Sequence, residues 1–449
     1  MKKLRIVAAA LCWLGSTGSA PLHCAAHPNV VLIIIDTLRA DKLGCYGSRE
    51  DTSPELDGLA EMGIQFTKIY AQCSWTRPSV GSLLTSLYPR SIGLYGGHPG
   101  EKLHDCYSTL PEILKARGYY TLGITANPTI NTIFNLDQGF DEYIDSDVVW
   151  DCMLGLEKGK KEYKPDVVPL PNSERIFRTV LDRARAISKR PVYLQINVME
   201  VHEGWRLIRP EFKNIFANRP FHWYLEAVRQ TSLDVHRFVT EWLSIPGFQD
   251  TLFVITSDHG QGLDDHPHVA NSQDHGYLLY ESQLSVPLIL YHPSGAWERG
   301  KKIDRPARLM DLMPTILDYL DIPCPDNIQG ISLLELISHG SSSVSLPEYF
   351  VSETYFDGSE KLAVYSGRWK YIENRDSQEG VNKVELQPIG VKEDGALTDQ
   401  IRENDGIRRA MRAFLESWEL SFPRAEGTPA DGKFREEEIQ QLKSLGYLD

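Results

Sequence analysis

The sequence is short of positive charge, of metal-binding cysteine patterns and of repeats. Against 61 aspartates and glutamates it has only 47 lysines and arginines, a formal net charge of −14 at pH 7. This deficit argues against a nucleic-acid backbone as the main partner, although a locally positive site could still bind a small anion. The seven cysteines show no C-x-x-C spacing of a zinc site. With no internal repeat or long low-complexity tract, the composition is that of an ordinary globular protein.

The N-terminus also lacks an apolar run long enough to span a bilayer. Its apolar stretch, residues 6–15, is shorter than the roughly 20 residues that a membrane helix needs. Basic residues precede the stretch and the small residues 18–20 follow it, which is the pattern of a secretory signal. We therefore predict a signal peptide over residues 1–20, with cleavage after residue 26 as the alternative. The protein is expected to be exported, periplasmic or secreted, with no transmembrane segment once the signal is removed.

Export permits disulfide bonds among the cysteines that follow the signal. There are six of them, and an even number is consistent with pairing. Their spacing does not reveal which would pair, and plain buried cysteines are the alternative. They are Cys24, Cys45, Cys73, Cys106, Cys152 and Cys324.

Four apolar runs of strand length each end in polar residues. Continuous apolar runs are typical of strands that are buried on both faces, as in a parallel sheet covered by helices. Helix-like stretches separate the runs, so the sequence predicts an α/β domain. Ligands bind such sheets outside the carboxyl ends of the strands, where the polar residues fall. The runs and their polar residues are 30–35 with Asp36, 119–124 with Asn127, 192–198 with Glu200 and His202, and 252–256 with Asp258 and His259.

A smaller unit is predicted at the C-terminus. Residues 338–343 have the composition of a linker. We place a main domain over residues 28–337 and a small α+β subdomain over residues 345–449. The elements predicted on either side of the linker are a strand at 286–291, a helix at 310–320, short strands at 349–353, 362–365 and 369–372, and helices at 407–420 and 436–445.

The stretch 76–89 predicts an amphipathic helix with a hydroxyl at its start. Pro78 suits the first helical turn. A side chain just before that turn faces free backbone N–H groups and the positive end of the helix dipole, which favour an anion. Thr76 is therefore a candidate nucleophile, with N–H groups near Ser79 as stabilising donors; a simple N-cap is the alternative. The apolar face, at positions i, i+3, i+4 and i+7, consists of Val80, Leu83, Leu84 and Leu87.

Two of the strand ends carry residues that bind metals. Asp36 follows the first strand, and Asp258 with His259 follows the fourth. Two carboxylates and an imidazole can meet if these strands lie close together in the sheet. Taken singly, each is explained equally well by a helix cap or a turn. Their combination with Thr76 favours a divalent metal ion that activates the threonine.

Six stretches form an ordered set of motifs: 29–39, 78–89, 256–260, 275–287, 311–315 and the tail 442–448. Together they resemble the sulfatase family within the alkaline phosphatase superfamily, over most of the chain from Asn29 onward. The resemblance implies an alkaline-phosphatase-like three-layer sandwich with a mostly parallel central sheet and a small C-terminal sheet. It also implies an ester hydrolase that uses a divalent metal ion.

The resemblance implies a role for each candidate side chain. It places the nucleophile at Thr76, whose oxygen completes the metal shell. His275 falls where many sulfatases carry a lysine that touches the bound sulfate, and His202 where a histidine often serves the leaving group. Asn127 ends a strand where other members present a lysine–histidine pair. The implied metal ligands are Asp36, Thr76, Asp258 and His259.

The nucleophile motif departs from the family pattern. Sulfatases typically read C-x-P-S-R, with the cysteine oxidised to formylglycine. Aligned on Pro78, Thr76 replaces the cysteine and Val80 replaces the arginine. Arg77 could supply the lost anion contact, and a surface arginine is the alternative. A rival register puts formylglycine at Cys73, but its proline is missing and it begins three residues early, so a small buried cysteine is the preferred interpretation.

The metal ligands depart from the pattern as well. The usual Asp-Asp pair is here Asp36-Thr37, and the usual Asp-Asn pair is Asp258-His259. Fewer carboxylates and an added imidazole shift the preference from calcium towards zinc or manganese. One metal site is expected, and a second is the open alternative. Residues that could hold a second ion are Glu200, His202, His266, His268 and His275.

These patterns predict an exported, metal-dependent hydrolase that cleaves a sulfate-type ester by in-line attack of Thr76. A phosphomonoester or phosphodiester hydrolase, or a phosphoethanolamine-type transferase, is the first alternative, because threonine cannot follow the hydrated-aldehyde route of formylglycine. A degenerate glycan-binding homologue is the second. The partner is expected to be a small-molecule or glycan ester, bound by loops over 145–171 and 204–222; the oligomeric state stays open. Aromatic residues there that could stack on a sugar are Tyr163, Trp205 and Trp223.

Overall fold

The structure is a computed structural model of the chain. It describes residues 28–95, 100–146, 172–187, 190–202, 204–295, 297–339, 346–375, 383–390 and 404–429. The predicted signal peptide, most of the loop over 145–171 and the predicted helix at 436–445 lie outside the described residues. No helix within those ranges is long and apolar enough to cross a membrane.

Fifteen strands occur in the described residues. They are β1 (Asn29–Ile35), β2 (Ile64–Tyr70), β3 (Glu101–Lys102), β4 (Tyr120–Thr125), β5 (Glu142–Ile144), β6 (Val192–Val198), β7 (Thr251–Thr256), β8 (Ser285–Tyr291), β9 (Lys301–Ile303), β10 (Ala307–Arg308), β11 (Tyr349–Phe356), β12 (Ser359–Ser366), β13 (Trp369–Asn374), β14 (Val384–Pro388) and β15 (Thr428–Pro429).

Nine of these strands form the central sheet. Its order is β10-β2-β8-β7-β1-β6-β4-β5, with β9 beside β2. The run from β7 to β5 is parallel throughout, whereas β8 runs antiparallel to both β2 and β7. The predicted mostly parallel sheet is therefore confirmed. The strand β1 lies between β6 and β7. The carboxyl ends of these three strands, which are followed by the candidate site residues, therefore lie side by side.

Helices cover the sheet and connect its strands. The described α-helices are α1 (Pro54–Met62), α2 (Thr76–Thr85), α3 (Pro89–Ile92), α4 (Leu110–Ala116), α5 (Ser173–Ala186), α6 (Gly204–Leu207), α7 (His222–Ser244), α8 (Glu281–Leu284), α9 (Leu312–Tyr319), α10 (Leu334–His339) and α11 (Asp405–Ser421). Short 3-10 turns lie at Ala40–Lys42, Gly44–Tyr46, Pro128–Ile130, Thr132–Phe134, Pro210–Phe212 and Leu309–Asp311.

The two faces of the sheet build two separate cores. Every residue of β1 is buried, and its side chains alternate between the faces. Val30, Leu32 and Ile34 pack with residues of α2, α4 and α9. The intervening residues pack with α1, α5 and α7 on the other face. This arrangement gives the predicted three layers, and it explains why the strands read as unbroken apolar runs.

The C-terminal subdomain is an antiparallel sheet with one long helix. Its strand order is β11-β12-β13-β14, and α11 contributes Met411, Leu415 and Trp418 to a third apolar core beside the sheet. A buried ion pair ties it to the main domain, with Arg90 Nε 2.9 Å from Glu353 Oε2. The predicted α+β unit is confirmed.

The described cysteines carry free thiols. They are Cys45, Cys73, Cys106 and Cys324. Cys24 and Cys152 lie outside the described residues, so the pairing of the whole set stays open.

Candidate active site

Strand pairing brings the predicted site residues together. In the register of the sheet, Ile34 of β1 faces Asn197 of β6 on one side and Thr256 of β7 on the other. The residues just beyond these positions therefore emerge at the same edge. Asp36 follows β1 directly, Asp258 and His259 follow β7 by two and three residues, and Asn127 follows β4. The sequence-based expectation that these strands are neighbours is correct.

Three of these side chains form a group that could hold a metal ion. One ligand atom from each of Asp36, Asp258 and His259 lies within 4.8 Å of the other two. His259 Nε2 is 3.4 Å from Asp258 Oδ2 and 3.9 Å from Asp36 Oδ1. All three residues are fully buried. The predicted protein ligands thus converge on one point.

Hydrogen bonds orient the ligands towards that point. The Nδ1–H of His259 donates to the Gly260 carbonyl at 2.8 Å, so its Nε2 carries the lone pair that faces the carboxylates. Asp258 Oδ1 accepts backbone N–H groups from Thr37 at 3.3 Å and from His259 at 3.0 Å. Thr37 has φ of 59°, an uncommon conformation for a β-branched residue. This turn is what aims its N–H at the carboxylate.

The electrostatics of the group fit a divalent cation. Burial, followed by the charge of Asp258, raises the pKa of Asp36 to about 6. Burial likewise raises the pKa of Asp258 to about 6 and lowers that of His259 to about 4. Within the described part of the chain, Asp36 Oδ1 and Asp258 Oδ2 are buried and accept no hydrogen bond. Two buried oxygens without donors and an imidazole lone pair are a donor set that suits zinc or manganese.

Thr76 lies beside this group. It is the first residue of α2, with Trp75 in the N-cap position, so the interpretation of Thr76 as a simple N-cap is wrong. Its Oγ1 is 3.2 Å from His259 Nε2 and accepts a hydrogen bond from Asn127 Nδ2 at 3.2 Å. The expected stabilisation by the Ser79 N–H is not available, because that group donates to the Trp75 carbonyl at 3.4 Å. The Ser79 hydroxyl instead donates to the Asp258 carbonyl at 2.6 Å and ties α2 to β7.

Arg77 is buried rather than on the surface. It is 1 % exposed, and its Nε donates to the Thr129 carbonyl at 2.9 Å. Its guanidinium carbon lies 3.5 Å from the ring centroid of Phe134. The surface alternative is therefore wrong, and an arginine held next to the nucleophile keeps its predicted role in anion binding as a candidate.

The two remaining histidines extend outward from the metal-binding group. The ring of His275 stacks on that of His259 with centroids 4.8 Å apart, and His202 meets His275 edge-on at 5.0 Å. His275 Nδ1 is 3.0 Å from Gln261 Oε1, and burial lowers the pKa of this imidazole well below its usual value. His202 is half-buried. The imidazoles of His259, His275 and His202 therefore form one contiguous row that begins at the metal-binding group.

Other residues proposed for a second metal ion have different partners. Glu200 accepts the backbone N–H of Ser173 at the start of α5, and burial raises its pKa to about 7. His266 packs on the ring of Tyr280 with centroids 4.0 Å apart, while His268 is exposed. In the described ranges, the Asp36, Asp258 and His259 group is the single one found that could hold a metal ion.

Cys73 lies where the main domain contacts the C-terminal sheet. It lines a small cavity together with Glu353, Thr354 and Lys361, and burial raises the pKa of its thiol to about 12. It is not part of the metal-binding group. This placement supports the interpretation of Cys73 as a small buried residue.

Sequence reasoning missed two side chains that hold the site together. Thr129 donates to Asn127 Oδ1 through both its N–H and its hydroxyl. Gln261 contacts His275 and donates through Nε2 to the Gln273 carbonyl at 2.7 Å. The only signal was their closeness in sequence to Asn127 and His259. Trp223 is half-buried and packs edge-on against Tyr224, whereas Tyr163 and the Trp205 side chain lie outside the described part.

Comparisons with known proteins agree with this geometry. The profile of the family described as "Sulfatase" matches residues 28–322, and one described as "N-sulphoglucosamine sulphohydrolase, C-terminal" matches residues 274–399. A sulfatase from Formosa agariphila is 23% identical over 421 residues, covering 78% of this chain and 80% of the relative. An N-acetylgalactosamine-6-O-sulfatase from Bacteroides thetaiotaomicron is 23% identical, covering 78% and 83%.

Solved structures share the fold. A protein crystallised with D-glucosamine-2-N,6-O-disulfate superposes with a TM-score of 0.73 at 17% identity, covering 91% of this chain and all of the other. A phosphonate monoester hydrolase from Silicibacter pomeroyi superposes with a TM-score of 0.69 at 17% identity, covering 89% and 96%. With these similarities and a family profile that spans most of its length, the chain belongs to the sulfatase family, and its fold is alkaline-phosphatase-like.

Proposed function

We propose that this protein is a metal-dependent ester hydrolase in which the Thr76 hydroxyl attacks a sulfate-type ester. One observation carries the proposal. The Thr76 oxygen lies 3.2 Å from His259 Nε2, at the edge of a buried group whose two carboxylate oxygens have no hydrogen-bond donor. A hydroxyl beside two buried carboxylate oxygens that have no donor is explained by a cation that binds all three oxygens.

The described residues divide the chemistry between them. Asp36, Asp258 and His259 would hold the ion, with the Thr76 oxygen completing the shell. When bound, a divalent ion would lower the pKa of the Thr76 hydroxyl and polarise an oxygen of the ester. In the in-line step the Thr76 hydroxyl would lose its proton to solvent, the bond from its Oγ to sulfur would form and the bond from sulfur to the leaving oxygen would break. Water would then attack the sulfur, break its bond to Thr76 Oγ, release sulfate and return the hydroxyl.

The two histidines beside His259 would assist the departure of the leaving group. His275 and His202 form a contiguous pair of imidazoles beside His259. As a general acid, His202 would give its proton to the departing oxygen, which then leaves as an alcohol or phenol. His275, whose burial lowers its pKa well below the usual value, would contact the bound ester as a neutral imidazole. Arg77, held by the Thr129 carbonyl, would contribute positive charge next to the nucleophile.

Phosphorus esters are the second candidate substrate. Formylglycine releases sulfate by collapse of its hydrated aldehyde, and threonine has no such route. A phosphothreonine can instead be cleaved by water that attacks phosphorus, or passed to an acceptor, as in phosphomonoester or phosphodiester hydrolysis or phosphoethanolamine-type transfer. The structural likeness to phosphonate monoester hydrolases fits this candidate.

A degenerate glycan-binding role is less well supported. The acidic group, the nucleophile and the amide that bonds both are all present, and a protein that only binds has no need of them. Export to the periplasm or beyond is proposed from the N-terminal pattern. A small-molecule or glycan ester is proposed as the substrate, since solved structures of the same fold hold D-glucosamine-2-N,6-O-disulfate or k-i-k-neocarrahexaose.

The direct test compares wild type with Thr76→Ala and Thr76→Ser. Each is assayed on an aryl sulfate, a phosphate monoester and a phosphate diester with added zinc, manganese or calcium, and residues 71–90 are analysed by mass spectrometry. We expect Thr76→Ala to lose at least about 10³-fold in kcat and Thr76→Ser to retain partial turnover.

Cys73→Ala is the matched control, and its kcat is expected to equal that of wild type. Wild-type turnover in the Thr76→Ala variant, or an aldehyde at Cys73, would refute the assignment of Thr76. An unmodified enzyme that cleaves sulfates much faster than phosphates would exclude the phosphorus candidate.

A further inference from the structure

The turn after β4 connects to both sides of the nucleophile. Asn127 Nδ2 donates to Asp36 Oδ2 at 2.7 Å and to Thr76 Oγ1 at 3.2 Å. One amide group thus bonds a candidate metal ligand and the nucleophile at once. Asn127 and both of its acceptors are buried from solvent, so water does not compete for these hydrogen bonds.

Thr129 determines which way this amide points. Asn127 Oδ1 accepts from the Thr129 N–H at 2.8 Å and from the Thr129 hydroxyl at 2.7 Å. If the amide were reversed, its NH₂ would face the Thr129 backbone N–H, which can only donate, and its oxygen would face the Asp36 carboxylate. The two bonds from Thr129 therefore hold the NH₂ towards Thr76.

The same turn also holds the neighbour of the nucleophile. The Thr129 carbonyl accepts from Arg77 Nε at 2.9 Å, and the Asn127 backbone N–H donates to Thr125 Oγ1 at 2.9 Å at the end of β4. The Asn127–Thr129 turn is thus anchored to the sheet and bonded to two consecutive residues of α2. A shift of this turn would move the partners of Thr76 and Arg77 together.

We propose that Thr129 is a positioning residue that fixes the Asn127 amide as a hydrogen-bond donor to the Thr76 oxygen. The proposal rests on the proposed function of Thr76 as the nucleophile. A donor aimed at that oxygen stabilises the negative charge that it develops on losing its proton. The Thr129 side chain acts through Asn127, and the Thr129 carbonyl that holds Arg77 is unaffected by a change of that side chain.

The test removes the hydroxyl while keeping the shape of the side chain. Thr129→Val retains the backbone N–H bond but loses the hydroxyl bond, and Thr129→Ser retains both. We expect Thr129→Val to lower kcat by about 10- to 100-fold, the usual effect of losing an outer partner of a metal site, with KM changed less than about threefold. Thr129→Ser should restore kcat to within about threefold of wild type.

A double-mutant cycle separates positioning from a general structural defect. If Thr129 acts through the amide, Thr129→Val causes no further loss of kcat in an Asn127→Ala background. Additive losses would overturn the proposal. If Thr129→Val does not fold, Asn127→Asp replaces it, since this variant keeps the shape but loses the NH₂; a kcat within threefold of wild type would then overturn the proposal.

Crystal structures of wild type and Thr129→Val provide a measurement that does not depend on turnover. We expect the distance from Asn127 Nδ2 to Thr76 Oγ1 to lengthen beyond hydrogen-bonding range in the variant. An unmoved amide with unchanged kcat would overturn the positioning role and leave the proposed function intact. If wild type cleaved none of the three esters, the proposed function would fail, and the position of the amide would still decide the role of Thr129.

Discussion

The proposed nucleophile side and the proposed leaving-group side of this site are built differently. On the nucleophile side, Asp36, Thr76 and Asp258 come directly from strand ends or a helix start, and each is fully buried. On the leaving-group side, His202 follows β6 by four residues and His275 lies in the long irregular segment between β7 and β8. The proposed nucleophile and metal ligands are therefore held by the sheet, whereas the two outer histidines are held by loops, which vary more readily.

The largest effect is expected when a candidate metal ligand held by the sheet is removed. Asp258→Asn removes one of the two carboxylates that face the ion, so we expect loss of bound metal and at least about 10³-fold lower kcat on every substrate. Metal analysis of the purified variant and turnover with saturating zinc or manganese measure both effects. Wild-type metal content together with wild-type kcat would show that Asp258 is not a ligand.

The leaving-group side should respond according to the substrate. His202→Ala removes the candidate general acid, and we expect kcat to fall by about 10²- to 10⁴-fold for an ester with a poor alkyl leaving group. His275→Ala removes the imidazole that packs against His202 and should act in the same direction with a smaller loss. The loss should be much smaller for 4-nitrophenyl esters, whose leaving group departs without a proton. His268→Ala, which changes an exposed imidazole, is the control. Equal losses for both ester types would assign these histidines to binding or structure.

The smallest predicted effect concerns stability and pH. Burial raises the pKa of Asp36 to about 6, above its ordinary value, so the folded metal-free protein binds this proton more tightly than the unfolded chain. The contribution of Asp36 to stability is thus present at low pH and is lost as the pH rises through about 6. Without metal at about pH 8, Asp36→Asn should raise the free energy of unfolding by about 3 kcal/mol.

The same variant should show the opposite effect when metal is present. Saturating zinc or manganese stabilises only a chain that can bind it, so wild type should then have the higher melting temperature. At about pH 4 without metal the two proteins should melt alike, because Asp36 is protonated. Thermal melts with chelator and with metal measure these differences, and a metal-free wild type more stable than the variant at pH 8 would contradict the burial argument.

The fold was predictable where the burial of a strand produces a simple pattern of apolar residues in the sequence. The runs that became β1, β6 and β7 are mostly apolar because both faces of the sheet are covered, and their ends were placed to within about one residue. The strand β2 was not predicted. Its sequence IQFTKIY mixes apolar and polar residues and is only partly covered at its middle, so neither a continuous nor an alternating pattern stands out.

The site was predictable as a set of residue types at strand ends. Asp36, Thr76, Asp258 and His259 were identified in this way, and the structure brings them together. The sequence did not decide whether Arg77 lies on the surface or in the site, because a charged residue after a helix start is normally exposed. Its burial under Phe134 and its bond to Thr129 depend on a turn more than fifty residues away in the sequence.

The sequence by itself determined the layered α/β fold, the candidate nucleophile and the family, because these depend on local patterns and on the spacing of motifs. Tertiary structure decided which strands are neighbours, and hence that Asn127 bonds both Asp36 and Thr76. It also decided that Thr129 holds this amide and that Glu200 and His266 face elsewhere. Hydrogen-bond partners are set by distances of about 3 Å between segments that are remote along the chain, and no local pattern encodes them.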